Sequence, residues 1–294
     1  MVPPSLPVAR ALRLVAARAG GPAPFARPDV SRRADPSAWP QPAAGASCVR
    51  AFGEERGHPP LPTEDDTGRV VHSSGIDVAG EPWERLLVRT HVIRPGEDIV
   101  EVVARYARPH LRPGDLAFVG QKAVSIAQGR LVRERAVHPR ALASFLSQHV
   151  KRTPFGRGLG RAATMEIALR EAGVPRILLA AFVHLLGRPF GRTGDFYRIA
   201  GRRVASIDGV TEWALPPFNQ YIVLHPTDAD GLARRLAARL GIPAAIVDLN
   251  DLGGEILGCS PGINPRQLLR ILADNPLGQG PFRTPLGLAR PRRG

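Results

Sequence analysis

Two short runs rich in Val, Ile and Ala each stop on an aspartate: RRVASID ends at Asp208 and IPAAIVD at Asp248. They lie within one stretch, Asp195 to Gly258, and constrain the chain more than any other feature of it. Asp248 is followed at once by Asn250, Asp251 and the glycines 253 and 254. Acidic groups at strand ends, followed by turns that glycine permits, present oxygen ligands to a hard divalent ion. Between the two runs a third acidic cluster, HPTDAD, stands at the mouth of the helix-like segment GLARRLAARL. Any one of these aspartates reads as a turn or a cap, and Asp228 and Asp230 are read here as caps. Two strand-terminal aspartates around a third cluster point to a metal–phosphate site.

The remainder of the chain supplies the scaffold. Residues 1–80 hold 12 of the 30 prolines, interspersed with Gly, Ser, Arg and Asp. Such a segment cannot bury enough apolar surface to offset its ordering entropy, so a disordered extension is expected. Its one periodic piece, ARALRLVAARA (9–19), has three readings: a transit peptide, a product of Ala/Arg-rich composition, or a start codon placed too far upstream. Ordered chain is expected from Pro82 to 291. RLLVRTHVI (85–93) reads as a strand and IVEVVARYA as a helix capped by Pro95-Gly96-Glu97-Asp98. LAFVG reads as a short strand, and QKAVSIAQGR (121–130) as a loop approaching a ligand. Segments 139–151, 161–172 and 175–187 carry helical spacing. Strands are expected at 195–200, 202–208, 219–224 and 243–248, a helix at 230–240, another in PRQLLRILAD, and a last strand in TPLGLAR. Strands interleaved with helices, without regular βαβ repetition, predict an α+β (mixed α/β) architecture.

A formal charge of +14 suggests nucleic acid at first sight. Its make-up argues otherwise, because all but two of the 40 basic residues are arginine, scattered through an Ala-, Gly- and Pro-rich chain. No aromatic-interleaved basic patch is present. The charge suits an anionic small molecule such as a nucleotide. Cys48 and Cys259 give neither a disulfide framework nor metal spacing, which predicts a reducing, cytoplasmic setting, and Cys259 reads as a buried small residue. No run reaches the roughly 18–20 apolar residues of a membrane span. FGRGLGR follows a helix rather than a strand, so it lacks the context of a dinucleotide loop. His91, His184 and His225 have no metal-ligand spacing and read as structural. Tyr197 and Trp213 flank ASID and read as core, with stacking on a base or a flavin-like ring as the alternative.

The order of motifs from Pro82 to Pro291 resembles the coenzyme F420:L-glutamate ligase family, the γ-glutamyl ligases of deazaflavin coenzyme biosynthesis. The resemblance is carried by PGEDIVEVVARY, GDLAFVGQKAVSIAQGRLV, ASID, LHPTDADGLARRL, AAIVDLN, and LGQG followed by TPLGLAR. It implies that family's fold, with mixed sheets and flanking helices. It also implies a homodimer, and a reaction in which GTP activates an acceptor carboxylate that L-glutamate then captures as an amide. On this resemblance Asp208 and Asp248, joined by Asp251, would hold Mg or Mn. Lys122 would contact phosphate, with Gln121 and Ser125 nearby. Gly96, Glu97 and Asp98 would lie near the guanine or ribose, and Thr211, Gly278, Gln279 and Gly280 would complete the nucleotide site.

The chain also departs from the family's pattern. Ile126 stands where the ligases carry a lysine after the loop serine, and Leu249 where a threonine follows the second metal aspartate. Gly209-Val210-Thr211 replaces a Ser-Asn, and Asp251-Leu252-Gly253-Gly254 replaces the Gly-Arg of their phosphate turn. A charge and a hydroxyl are lost, and Asp251 adds a carboxylate. The pattern is that of a divergent branch. It leaves open a non-catalytic nucleotide- or metabolite-binding protein on the same scaffold.

Overall fold

The computed structural model describes residues 67–150, 158–190, 194–212, 214–250, 253–278 and 280–292. The 9–19 segment and Cys48 lie outside the described residues, as do Trp213, Asp251 and Gln279.

Strands β1 (Val70–Val78) and β2 (Glu81–Val88) form an antiparallel hairpin. β1 therefore precedes Pro82, where ordered chain was expected to begin. Its sequence, VVHSSGIDV, is polar through its middle, and Ser73, Gly75 and Asp77 are exposed on one face. An apolar run is a poor guide to such an edge strand. α1 (Ile99–Ala107) follows, started as expected by Asp98, whose side chain accepts from the Val100 amide. β3 (Leu116–Gly120) runs directly into α2 (Gln121–Ala127), so the expected loop is a helix. β4 (Leu131–Arg133) leads to α3 (Ala141–Gln148), α4 (Ala162–Ala172) and α5 (Val174–Gly187).

The next two expected strands are instead short helices, α6 (Asp195–Ala200) and α7 (Arg202–Ala205). Gly194 (φ 86°) and Gly201 (φ 91°) fit this: each sits in a conformation that side-chain-bearing residues rarely adopt and starts a fresh helical turn. Val and Ile gave this stretch its β character, but tertiary packing overrode that weak propensity. β5 (Tyr221–Val223) is shorter than expected, α8 (Ala229–Leu240) and β6 (Ala244–Asn250) agree closely, and β7 (Gly253–Cys259) was read only as turn glycines. α9 (Pro265–Ile271) and β8 (Leu286–Pro291) close the chain.

Six strands form one mixed sheet in the order β1-β2-β8-β3-β6-β7, with β3 and β6 parallel and the other pairs antiparallel. β4 and β5 form a separate pair. One face of the sheet buries Val88, Val119 and Ile246 beneath α1, α2 and α8; the other buries Leu87, Phe118 and Val247 against α9. α3 to α7 pack with β4 and β5 around a further core containing Met165, Leu169, Ile177 and Ile222. Two contacts require glycine. A Cβ at Gly258 would come within 2.3 Å of the Ala229 carbonyl carbon, where α8 starts, and one at Gly287 would strike the Phe118 ring. Among the described residues no helix is long and apolar enough to cross a membrane.

Candidate active site

Strand direction and order bring four chain segments to one edge of the sheet. β2 and β3 leave the sheet there, β6 ends there, and β8 enters there. Outside the carboxyl ends of parallel strands is where open sheets of this kind receive ligands. A cleft of about 540 Å³ lies at this edge, lined by His91 after β2, Gly120 at the end of β3 and Gln121 to Ala123 after it, Asp248 to Asn250 on β6, and Arg283 to Pro285 before β8. Asp208, Gly209 and Thr211 close it from the helical side, with Tyr197, Ile207, Leu215 and Phe218.

Asp208 is not the last residue of a strand. It follows α7 and is held by a two-way backbone bridge: its amide donates to the Val223 carbonyl and its carbonyl accepts from the Val223 amide, each at 2.9 Å. That bridge brings its carboxylate to Lys122, in the first turn of α2, with Nζ 3.2 Å from Oδ2. Gln121 is buried, and its amide is oriented by donation from Nε2 to the Ser206 carbonyl at 2.9 Å. Its Oε1 is buried with no hydrogen-bond partner. Asp248 lies across from Asp208. Burial, with Asp208 and Glu255 adding like charge against the opposing Lys122, pushes its carboxyl up to about 7.

Of the residues singled out in the sequence, Gln121, Lys122, Asp208, Thr211, Asp248, Gly278 and Gly280 line this cleft. Ser125 does not. It is fully buried, and its hydroxyl has no hydrogen-bond partner. Gly96, Glu97 and Asp98 are not among the lining residues. Asp98 caps α1, and Glu97 accepts from the Arg94 amide through Oε1 while its Oε2 bonds His91 Nε2 at 2.7 Å. His91 also meets the Tyr106 hydroxyl through Nδ1, and His225 Nδ1 meets Ser206 Oγ. Both are hydrogen-bonded as structural histidines would be, whereas the Nδ1 of His184, read in the same way, is buried with no hydrogen-bond partner among the described residues. Asp228 caps α8 through the Gly231 amide, and Asp230 accepts from the Cys259 amide. Cys259, expected to be buried, is partly exposed. Tyr197 is 44% exposed on the cleft wall rather than core.

Sequence reasoning missed two lining residues, His91 and Arg283. Arg283 is one arginine in a chain crowded with them, and only the fold distinguishes it. Among the described residues no group of three His, Cys, Asp or Glu side chains encloses an ion. Two facing carboxylates nonetheless suit a small hard cation that arrives with a polyphosphate, since Mg²⁺ takes one or two protein carboxylates and fills its remaining positions with phosphate oxygens and water.

A family model described as F420-0:gamma-glutamyl ligase matches residues 87–245. A coenzyme F420:L-glutamate ligase of Methanopyrus kandleri is 30% identical over 149 residues, covering 50% of this chain and 49% of the relative. The chain thus spans about half the length of the curated relative it matches.

Proposed function

Because the chain belongs to the F420-0:gamma-glutamyl ligase family, we propose that it joins L-glutamate through a γ-glutamyl-type amide bond to an acceptor carboxylate, with GTP as the phosphoryl donor. The acceptor would be a deazaflavin coenzyme precursor or a related acid. The observation that carries this reading is the meeting of Lys122, Asp208 and Asp248, from separate elements, at one cleft on the edge of the sheet.

In the first step an oxygen of the acceptor carboxylate attacks the γ-phosphorus, the bond to the β-phosphate oxygen breaks, and GDP leaves. In the second the glutamate nitrogen attacks the acyl carbon, the C–O bond breaks, inorganic phosphate departs with the electron pair, and a base takes the amine proton. A Mg²⁺ or Mn²⁺ ion held by Asp208 and Asp248 would neutralise charge on the phosphates and orient them for in-line transfer. Lys122 adds a positive charge for the phosphoryl group as it moves, and Asp208 positions its ammonium. The Gln121 amide, fixed by the Ser206 carbonyl, keeps an acceptor oxygen at the start of α2. Ile126, Leu215 and Phe218 form an apolar wall that limits water around an activated acyl group.

One observation favours a second reading, nucleotide binding without turnover. Ile126 and Leu249 both line the cleft, where the resembled ligases carry a lysine and a threonine. Phosphate release from GTP and ATP by the full chain separates the two, measured with Mg²⁺ or Mn²⁺, L-glutamate and a deazaflavin phospholactate acceptor. Acceptor-dependent release that is lost in Asp248→Asn supports the ligase. Metal-dependent nucleotide binding without release supports the binding protein, and absence of both removes the metal–phosphate reading.

A further inference from the structure

We propose that Arg283 is a second anion anchor of the cleft, binding paired anionic oxygens, of phosphate or carboxylate, at a position distinct from that of Lys122. The inference deepens the ligase reading and rests on it.

Among the described residues, Lys122 and Arg283 are the only lysine or arginine that line the cleft. Strand order separates them. β8, which Arg283 precedes, lies between β2 and β3, and β6 lies on the far side of β3. Neighbouring strands are about 4.8 Å apart, so the start of β8, which Arg283 precedes, stands roughly two strand spacings from β6, with β3 between them. A ligand gripped at the carboxylate end therefore has a guanidinium some distance along its length. A guanidinium there offers two parallel N–H donors, the geometry that carboxylate and phosphate accept.

The backbone at Arg283 adds an independent observation. Its φ is 54°, in the left-handed region that favours glycine. The conformation is held from outside. The Thr90 amide donates to the Arg283 carbonyl at 2.8 Å, and the guanidinium Nε of the buried Arg89 donates to the Phe282 carbonyl at 3.2 Å. Phe282 is itself buried, and beyond it Pro285 accepts from the Gly120 amide at 2.8 Å, so the loop is tied to the ends of both β2 and β3. A glycine would take this conformation without cost, and glycines stand nearby at 278 and 280. Arginine held in a disfavoured conformation on a cleft wall points to a use for its side chain.

The test compares Arg283→Gly, Arg283→Gln and Arg283→Lys in the full chain. Calorimetric titration is done with Mg²⁺–GDP and, separately, with L-glutamate in the presence of Mg²⁺–GDP, alongside thermal melting. Arg283→Gly and Arg283→Gln are expected to weaken one of these ligands about 10- to 100-fold, as for loss of a charge-assisted contact. Arg283→Lys should recover part of that loss. Thermal melting of each variant separates loss of the fold from loss of the ligand contact. Loss in the GDP arm identifies a phosphate anchor; loss in the glutamate arm identifies a carboxylate anchor. Unchanged affinity for both ligands, while Asp248→Asn still abolishes metal-dependent GDP binding, overturns the role of Arg283 and leaves the ligase reading standing. If the parent chain binds neither ligand, both readings fall together.

Discussion

Lys122 Nζ lies 3.2 Å from Asp208 Oδ2, with both side chains more than two-fifths exposed. An ion pair this open contributes little to folding, about 0–1 kcal/mol. Its value lies in where it puts a lysine. Lys122→Met should therefore leave the melting temperature within a few degrees of the parent and lower kcat/KM for phosphate release by about 100-fold or more. A large fall in melting temperature would make the pair structural.

Asp248 carries the opposite balance. Its carboxyl is pushed up to about 7 by burial and by Asp208, against an ordinary value of 3.8. In the unfolded chain the proton leaves first, so folding loses stability as pH rises from about 4 to about 7, and the loss is complete above that. Each unit is worth about 1.4 kcal/mol. Asp248→Asn has no charge to suppress, so without divalent ions it should melt above the parent at pH 8 and near it at pH 4. Scanning calorimetry at the two pH values decides this. A gap that does not widen with pH would contradict the assignment.

Ile126 is buried on α2 while also bordering the cleft. Replacing it with lysine, the residue the resembled ligases carry, removes apolar packing and forces an ammonium to reach for the cleft along its stem. Ile126→Lys is expected to lower stability by about 1–3 kcal/mol in urea titrations. Recovery of that loss on adding Mg²⁺–GDP would show that the cleft receives the new charge as a phosphate contact.

Away from the cleft, Arg290 on β8 bonds the fully buried Asp115 through Nε and Nη2, at 2.9 and 2.8 Å, and also donates to the His110 carbonyl. Removing one partner strands the other in a low-dielectric interior. Asp115→Ala should cost about 3–5 kcal/mol, whereas the double replacement Asp115→Leu with Arg290→Met should cost much less than the two single losses combined. Chemical denaturation of the four proteins provides the cycle.

Local features were legible because local physics sets them. The Asp98 cap acts over two residues, and α8 announces itself by the spacing of its leucines between Asp228 and Gly241. Elements whose identity depends on neighbours were not. VASID has strand-forming residues but belongs to the end of a short helix and a single bridge, because Gly201 restarts the helix and Val223 offers only one pairing. β1 is polar yet pairs along its whole length with β2.

Interleaved strand and helix patterns along the chain sufficed for the α+β composition, and the order of its motifs for the family. The sequence also placed Asp228 correctly as a cap, since a carboxylate before a helix meets free amides wherever it lies in the fold, whereas Asp230, expected to cap as well, lies inside α8 and accepts from the Cys259 amide of β7. Tertiary structure decided which of the charged groups meet. Asp208, Asp248 and Arg283 lie progressively farther along the chain from Lys122, and they share a cleft because the C-terminal ends of β2, β3 and β6 and the N-terminal end of β8 meet at one edge of the sheet. The proton affinity of Asp248 is likewise a property of its surroundings. Burial and the nearby charge of Asp208 set it, and neither exists until the chain has folded.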